Sequence, residues 1–221
     1  MRHLVNLVKL SSVIACGKIE ESGEIVKHLL NTSHTTAALR NRLSAQLGDM
    51  IMKLWILVGL PVAILALATI AKAEKEAGMP VPPLEDQFHQ SIYSSLDTSD
   101  DIEDRGHAAM RLIYRSNLDP IMASWGLHQA DFEWLEKRVV YGLFLSDNRI
   151  LDQVESECLN VAGIMCQGLE RPTMWHIRGL RRLGVTKDNA EIVCNVIKKA
   201  AREIGGRTDV DNWLNAVDVE A

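Results

Sequence analysis

The sequence predicts an all-α protein, a compact multi-helix bundle. Three observations carry this expectation. No segment alternates apolar and polar residues between Asn-Gly turns, the pattern that marks hairpins. Aromatic residues make up only 5% of the chain, and Leu, Ala, Ile and Val supply the apolar content. Residues that start and stop helices recur along the chain. Pro172 suits a first helical turn, where no N–H is lost, and Gly184 suits a helix end, where a left-handed residue costs little.

Taken in order, Met1 to Ile14 carries Leu4, Leu7, Val8 and Ile14 with Arg2, His3 and Lys9 between them. This spacing predicts an amphipathic helix or a weak organelle-targeting segment; no small-residue cleavage site marks a secretory signal. Glu20 to Leu30 continues as helix, Asn31-Thr32-Ser33 turns, and His34 falls on the surface. Ala37 to Leu57 is a long helix, broken at Gly59 and Pro61, with a second running to about Ala77. Residues 54–71 carry no charge, close to the roughly 20 apolar residues of a membrane span. The break in the middle and the charged flanks at Lys53 and Lys72 to Glu76 favour two core helices instead. The second is expected to be buried on most sides, at a subunit interface. Gly78 to Pro83 makes a stiff link, with a short helix expected around Phe88 to Leu96.

Asp100 to Ser116 is a helix opened by an Asp100…Glu103 cap, with Met110, Ile113 and Tyr114 on its apolar side. Asp131 caps a helix to Leu145, closed by Ser146-Asp147-Asn148. Further helices run from Leu151 to about Leu169, from Pro172 to Gly184, and onward after Thr186. Residues 1–99 form an N-terminal helical part, 100–206 the helical core and 207–221 an acidic tail anchored by Trp213, all within one compact unit.

The net charge of −5 argues against nucleic-acid binding, which needs clustered positive charge. The basic group Arg171, Arg178, Arg181, Arg182 and Lys187 reads as a solvated helix face, or else a carboxylate-binding rim. Cys16, Cys158, Cys166 and Cys194 include no Cys-x-x-Cys pair and no histidines at zinc spacing. They read as buried reduced thiols of a cytoplasmic protein, with organelle targeting by the N-terminus as the alternative. No dinucleotide fingerprint or phosphate-cradling glycine loop is present.

His176 is the candidate that stands out. At helical spacing it faces Gly179, Leu180 and Leu183, whereas Arg178, Arg181 and Arg182 lie opposite. An inward imidazole is either a core histidine with paired nitrogens or an acid–base in a pocket. The run His176-Ile177-Arg178-Gly179-Leu180-Arg181-Arg182-Leu183-Gly184-Val185-Thr186 resembles the signature of the carboxymuconolactone decarboxylase family, His-Leu-Arg-small-Ala-Leu followed by Gly-hydrophobic-Thr. Arg105-Gly106, Ile113-Tyr114 and Val140-Tyr141-Gly142-Leu143 resemble the helices before that core. Val58-Gly59-Leu60-Pro61-Val62-Ala63 is similar to the family's Gly-x-Pro-x-Ala helix start. The likeness spans about Asp101 to Glu203. The related alkyl-hydroperoxidase D-like branch carries Glu-x-x-Cys-x-x-Cys-x-x-x-His. Here Cys166, Leu169 and Pro172 occupy its glutamate and cysteine positions, so the cysteine-free branch is the nearer likeness.

The resemblance implies a symmetric oligomer and a lyase or isomerase that needs no metal and no organic cofactor. In that branch a γ-lactone acid loses carbon dioxide and a dienolate-like anion is protonated at carbon. His176 suits the acid–base role, because an imidazole titrates near neutral pH. Arg178 or Arg105 suits the carboxylate clamp through a bidentate fork. Tyr141 is a candidate hydrogen-bond donor. Trp175 and His107 are candidates for contact with a small acidic or lactone substrate, His107 as a second acid or base. Two other readings stay open. One is a thiol-dependent hydroperoxidase using Cys166; the other is a non-catalytic helical oligomer or membrane-associated protein.

Overall fold

The computed structural model describes residues 2–31, 36–81 and 99–206, and among them every regular element is helical. The expected turn at 32–33 with His34, the helix around Phe88 to Leu96, the Asp100 side-chain cap and the Trp213 anchor lie outside the described residues. The elements are α1 (Arg2–Ala15), α2 (Ile19–Leu30), α3 (Ala37–Val58), α4 (Leu60–Glu76), α5 (Ser99–Tyr114), α6 (Leu118–Ala123) and α7 (Gln129–Trp134). A π-helical stretch, Leu135–Leu145, continues α7. The chain then forms α8 (Gln153–Met165), α9 (Glu170–Arg182) and α10 (Lys187–Glu203).

Local chemistry explains the boundaries. Thr36 caps α3 and Thr186 caps α10, each hydroxyl accepting a backbone N–H three residues on. Asp152 and Glu155 form a capping box on α8. Gly59, at φ +85°, turns the chain sharply between α3 and α4, and Pro61 occupies the first turn of α4. Asp131 does not cap its helix, as the sequence suggested; that helix starts at Gln129 and Asp131 lies in its first turn.

Two apolar clusters build the interior. The larger joins α1 to α4 with α8 to α10, so α1 is a core helix with Leu7, Leu10 and Ile14 fully buried. The smaller joins α5, α6 and the π-helical stretch through Met110, Ile113, Leu118, Met122 and Tyr141. α5 and the π stretch cross backbone to backbone at two glycines. A Cβ on Gly106 would fall 2.0 Å from the Lys137 carbonyl oxygen, and one on Gly142 would fall 2.7 Å from the Ile102 carbonyl oxygen. The π form has a consequence here. The Ser146 N–H bonds to the Tyr141 carbonyl, five residues back, instead of to Gly142. Arg105 takes the Gly142 carbonyl instead, its Nε donating at 3.1 Å and its Nη2 also donating.

Lys53 is not a solvated flank of the uncharged run. It is 1% exposed, with its ammonium 3.6 Å from Asp49 and donating to the Asp147 carbonyl. Asp49 also accepts the Leu151 N–H at 3.3 Å, and Arg149 pairs with Asp147 at 2.7 Å. These contacts pin residues 147–151 between the π stretch and α8. Burial lowers the Lys53 pKa and raises that of Asp49 to about 6.

Within the chain, α4 buries one side. Ala63, Ala66, Ile70 and Ala73 face the core, whereas Leu60, Ile64, Leu65 and Leu67 are 47% to 58% exposed. No described helix is long and apolar enough to cross a membrane.

Candidate active site at the seam between the two clusters

The site lies where α8 and α9 of the larger cluster meet α5 and the π stretch of the smaller. His176 projects inward from α9 and is buried, as its helical spacing predicts. Its Nδ1 is 2.8 Å from Oε1 of Glu157 on α8, and its Nε2 is 3.2 Å from the Tyr114 hydroxyl on α5. Tyr114 in turn lies 2.8 Å from the Tyr141 hydroxyl on the π stretch. Four elements thus contribute one side chain each to a continuous chain of hydrogen bonds.

Electrostatics sets the direction of these bonds. Glu157 is an acceptor, so Nδ1 carries the proton and donates to it, as in other carboxylate-oriented imidazoles. The remaining Glu157 oxygen, Oε2, accepts from Asn160 at 3.1 Å, so the buried carboxylate is paired on both sides. Nε2 shares its hydrogen bond with the Tyr114 hydroxyl, the direction following the charge on the ring. Burial raises the pKa of both Tyr114 and Tyr141, holding them as neutral phenols. Gly179 makes room for the pair: a Cβ there would meet Glu157 Oε1 at 2.5 Å. The small residue in the His176 run is therefore the space into which the carboxylate fits.

Glu136, on the π stretch, is close enough to act electrostatically on both tyrosines and on His176. Burial pushes its pKa up to about 7, with His176 opposing the shift. A carboxyl that binds its proton more tightly when folded gives stability that is complete below its unfolded pKa and is lost as pH rises through the folded value. Native protein should therefore lose up to about 3 kcal/mol between pH 4.5 and about 7 relative to Glu136→Gln. Urea titrations at pH 4.5 and pH 8 test this; equal pH slopes for the two proteins would refute it.

The other candidates are distributed as follows. Trp175 meets Tyr114 edge to face at 5.8 Å and carries Arg171 over its ring at 5.0 Å. Arg105 is not a carboxylate clamp beside His176; it holds Gly142 and acts electrostatically on Lys53. His107 is engaged by Arg111 at 3.3 Å, away from the hydrogen-bonded chain. Cys166 is not beside His176 either. Its thiol hydrogen-bonds to Cys16 at the end of α1, and also to Ser12.

Arg178, Arg181 and Arg182 are half-buried instead of forming a solvated face. Arg181 donates to the Val185 carbonyl and Arg182 to that of Ile113. An apolar cavity of about 280 Å³ lies between α1, α8 and α10, lined by Leu4, Val8, Cys158, Val185, Val193 and Val196 among others. His176 does not line it. Tyr114 and Glu136 are the half-buried members around the hydrogen-bonded chain.

Glu157, Tyr114 and Glu136 were not legible as site residues. Glu157 left a faint trace, since it and Asn160 are polar residues three apart beside the apolar Cys158, Leu159 and Val161. Tyr114 could be placed on an inward face but not against a partner, and Glu136 had no distinguishing pattern.

No family model matches the chain, and no solved structure matches it. The chain is similar to Peroxisomal protein 2 of Schizosaccharomyces pombe, with 22% identity over 203 residues, covering 92% of this chain and 86% of that protein.

Proposed function

We propose that the protein is a cofactor-independent lyase or isomerase of the carboxymuconolactone decarboxylase-like type, acting on a small carboxylic acid or lactone. The observation that supports this most is the imidazole held between Glu157 and Tyr114. Glu157 fixes the tautomer and stabilises an imidazolium when one forms. The ring, having taken up a proton from solvent, donates through Nε2 to the Tyr114 oxygen while Tyr114 gives its own proton to the substrate. A carbanion left by departing carbon dioxide is thereby protonated at carbon, and the ring ends neutral. In the reverse sense the same pair removes a proton for a double-bond shift. The nearly dry surroundings raise the energy of a bound carboxylate relative to carbon dioxide. The test is to incubate the protein with unsaturated lactone acids and with hydroperoxides, following carbon dioxide and peroxide separately. Carbon dioxide release that His176→Asn abolishes supports the reading; release unaffected by that change refutes it.

A thiol-dependent hydroperoxide reduction is the second reading, favoured by the contact between Cys16 and Cys166. That hydrogen bond draws the half-buried Cys16 thiol down to about 7, while Cys166 is pushed up. The Cys16 thiolate would attack the peroxide and release an alcohol, leaving a sulfenic acid. Cys166 would then condense with it to a disulfide and water, which an external thiol reduces. In the same assay, Cys16→Ser would abolish peroxide loss and spare carbon dioxide release.

The alkyl-hydroperoxidase D-like arrangement and self-association belong to the same proposal. The exposed Leu60, Ile64, Leu65 and Leu67, in a run without charge, support a subunit contact along α4. Ile64→Glu with Leu65→Glu is expected to shift an oligomer to monomer in light scattering while leaving the circular dichroism unchanged. Native protein that is already monomeric at high concentration would exclude the contact. The peroxisomal name of the similar yeast protein supports residence in that organelle over the cytoplasm.

A further inference from the structure

We propose that Arg115, Arg178 and Arg182 form a binding site for an oxyanion, the carboxylate or phosphate group of a small molecule, beside the Tyr114–His176 pair. Arg178 and Arg182 are one helical turn apart on α9, and Arg115 directly follows Tyr114 at the end of α5. Arg182 donates to the Ile113 carbonyl, which ties the α9 arginines to that end of α5. Arg115 and Arg178 both lie close enough to act on Arg182, whose pKa is lowered by burial and then by these two cations. Among the described residues no carboxylate pairs with any of them. The contrast with other arginines is clear, since Arg111, Arg138 and Arg149 each hold a carboxylate at 2.7 Å.

Two further observations point outward to a ligand. The Nε atoms of Arg178 and Arg182 are buried and have no hydrogen-bond partner. Buried guanidinium donors are costly when unpaired, and like charges four residues apart on a helix repel. Arg115 adopts φ +49°, the left-handed region that a residue with a side chain seldom occupies. An oxyanion bound between the three would pair the orphan donors, offset the repulsion and use the fork geometry of each guanidinium. Three cations suit a dianion, such as a phosphate ester or a dicarboxylate. Placed next to Tyr114, the site would hold the non-reacting anionic end of a substrate. That last clause rests on the function proposed above; the binding itself does not.

The experiment is calorimetry of the full chain with inorganic phosphate and, separately, succinate, at constant ionic strength set with chloride. Saturable binding of one or both is expected. Arg115→Gly removes a charge while relieving the left-handed backbone, so it should fold at least as well as the native protein and bind about tenfold more weakly or worse. Arg178→Gln should weaken binding similarly, and Arg202→Gln, on the exposed side of α10, should leave it intact. Absence of saturable heat beyond the chloride control, or unchanged affinity in both arginine variants, overturns the site. Binding without turnover on any lactone acid would leave the anion site standing and remove the lyase reading; turnover without anion binding would do the reverse.

Discussion

Gly106→Ala should destabilise the protein by about 3 kcal/mol or more, enough to unfold a domain of ordinary stability in mild denaturant. The reason is where the new carbon would go. It would lie 2.0 Å from the Lys137 carbonyl oxygen, 2.7 Å from the Gly142 nitrogen and 3.0 Å from the Gly142 Cα. All three are backbone atoms, so no side-chain rotation relieves the contact. The neighbouring helix must move instead, and Arg105 would lose its hold on the Gly142 carbonyl. Because Tyr114 and Tyr141 lie on those two elements, the hydrogen bonds reaching His176 would lengthen as well. Chemical denaturation of the variant measures the loss. A penalty below about 1 kcal/mol, the ordinary range for a helix alanine, would show that the crossing is looser than described.

Tyr114→Phe separates chemistry from stability. The substitution keeps the ring, its edge contact with Trp175 at 5.8 Å and its contact with His176. It removes one hydroxyl and two hydrogen bonds, to Tyr141 and to His176. The expected stability cost is about 1–3 kcal/mol, because the Tyr141 hydroxyl and Nε2 lose a partner. Removing a general acid from the reacting centre typically costs 10²- to 10⁴-fold in rate, and turnover should fall by about that factor. The fall should appear in kcat, with KM nearly unchanged, since substrate binding does not depend on the lost proton. His176→Asn should lose at least as much turnover, and more stability, because the buried Glu157 then lacks its imidazole partner. If Tyr114→Phe retains full turnover, the hydroxyl is a packing group and the proton route through it is wrong.

How legible this protein is from its residues depends on the kind of interaction asked about. Periodicity and punctuation act locally. An all-helical chain, the break at Gly59-Leu60-Pro61, the start of α10 after Thr186 and the inward placement of His176 could each be read within one or two turns of sequence. They were legible because helix geometry alone determines which residues share a face.

What only the tertiary structure decided is the partner each inward group meets. Glu157 is 19 residues from His176 in the chain, and Tyr114 is 62 residues away. Nothing in the spacing of α9 names either. Arg105 was a candidate clamp because its guanidinium fork suits a carboxylate. It is not available here, since the π register frees the Gly142 carbonyl for it, 37 residues away. Lys53 looked like a flank because it borders the uncharged run, and burial among Asp49 and the 147–151 segment makes it a core residue. Cys166 found its neighbour in Cys16, on a helix 150 residues earlier that no local pattern connects to it. Sequence alone thus placed the helices and the inward side of α9. The pairing of those side chains across helices required the packed chain, because hydrogen bonds and ion pairs form between groups brought close in space, whatever their separation along the backbone.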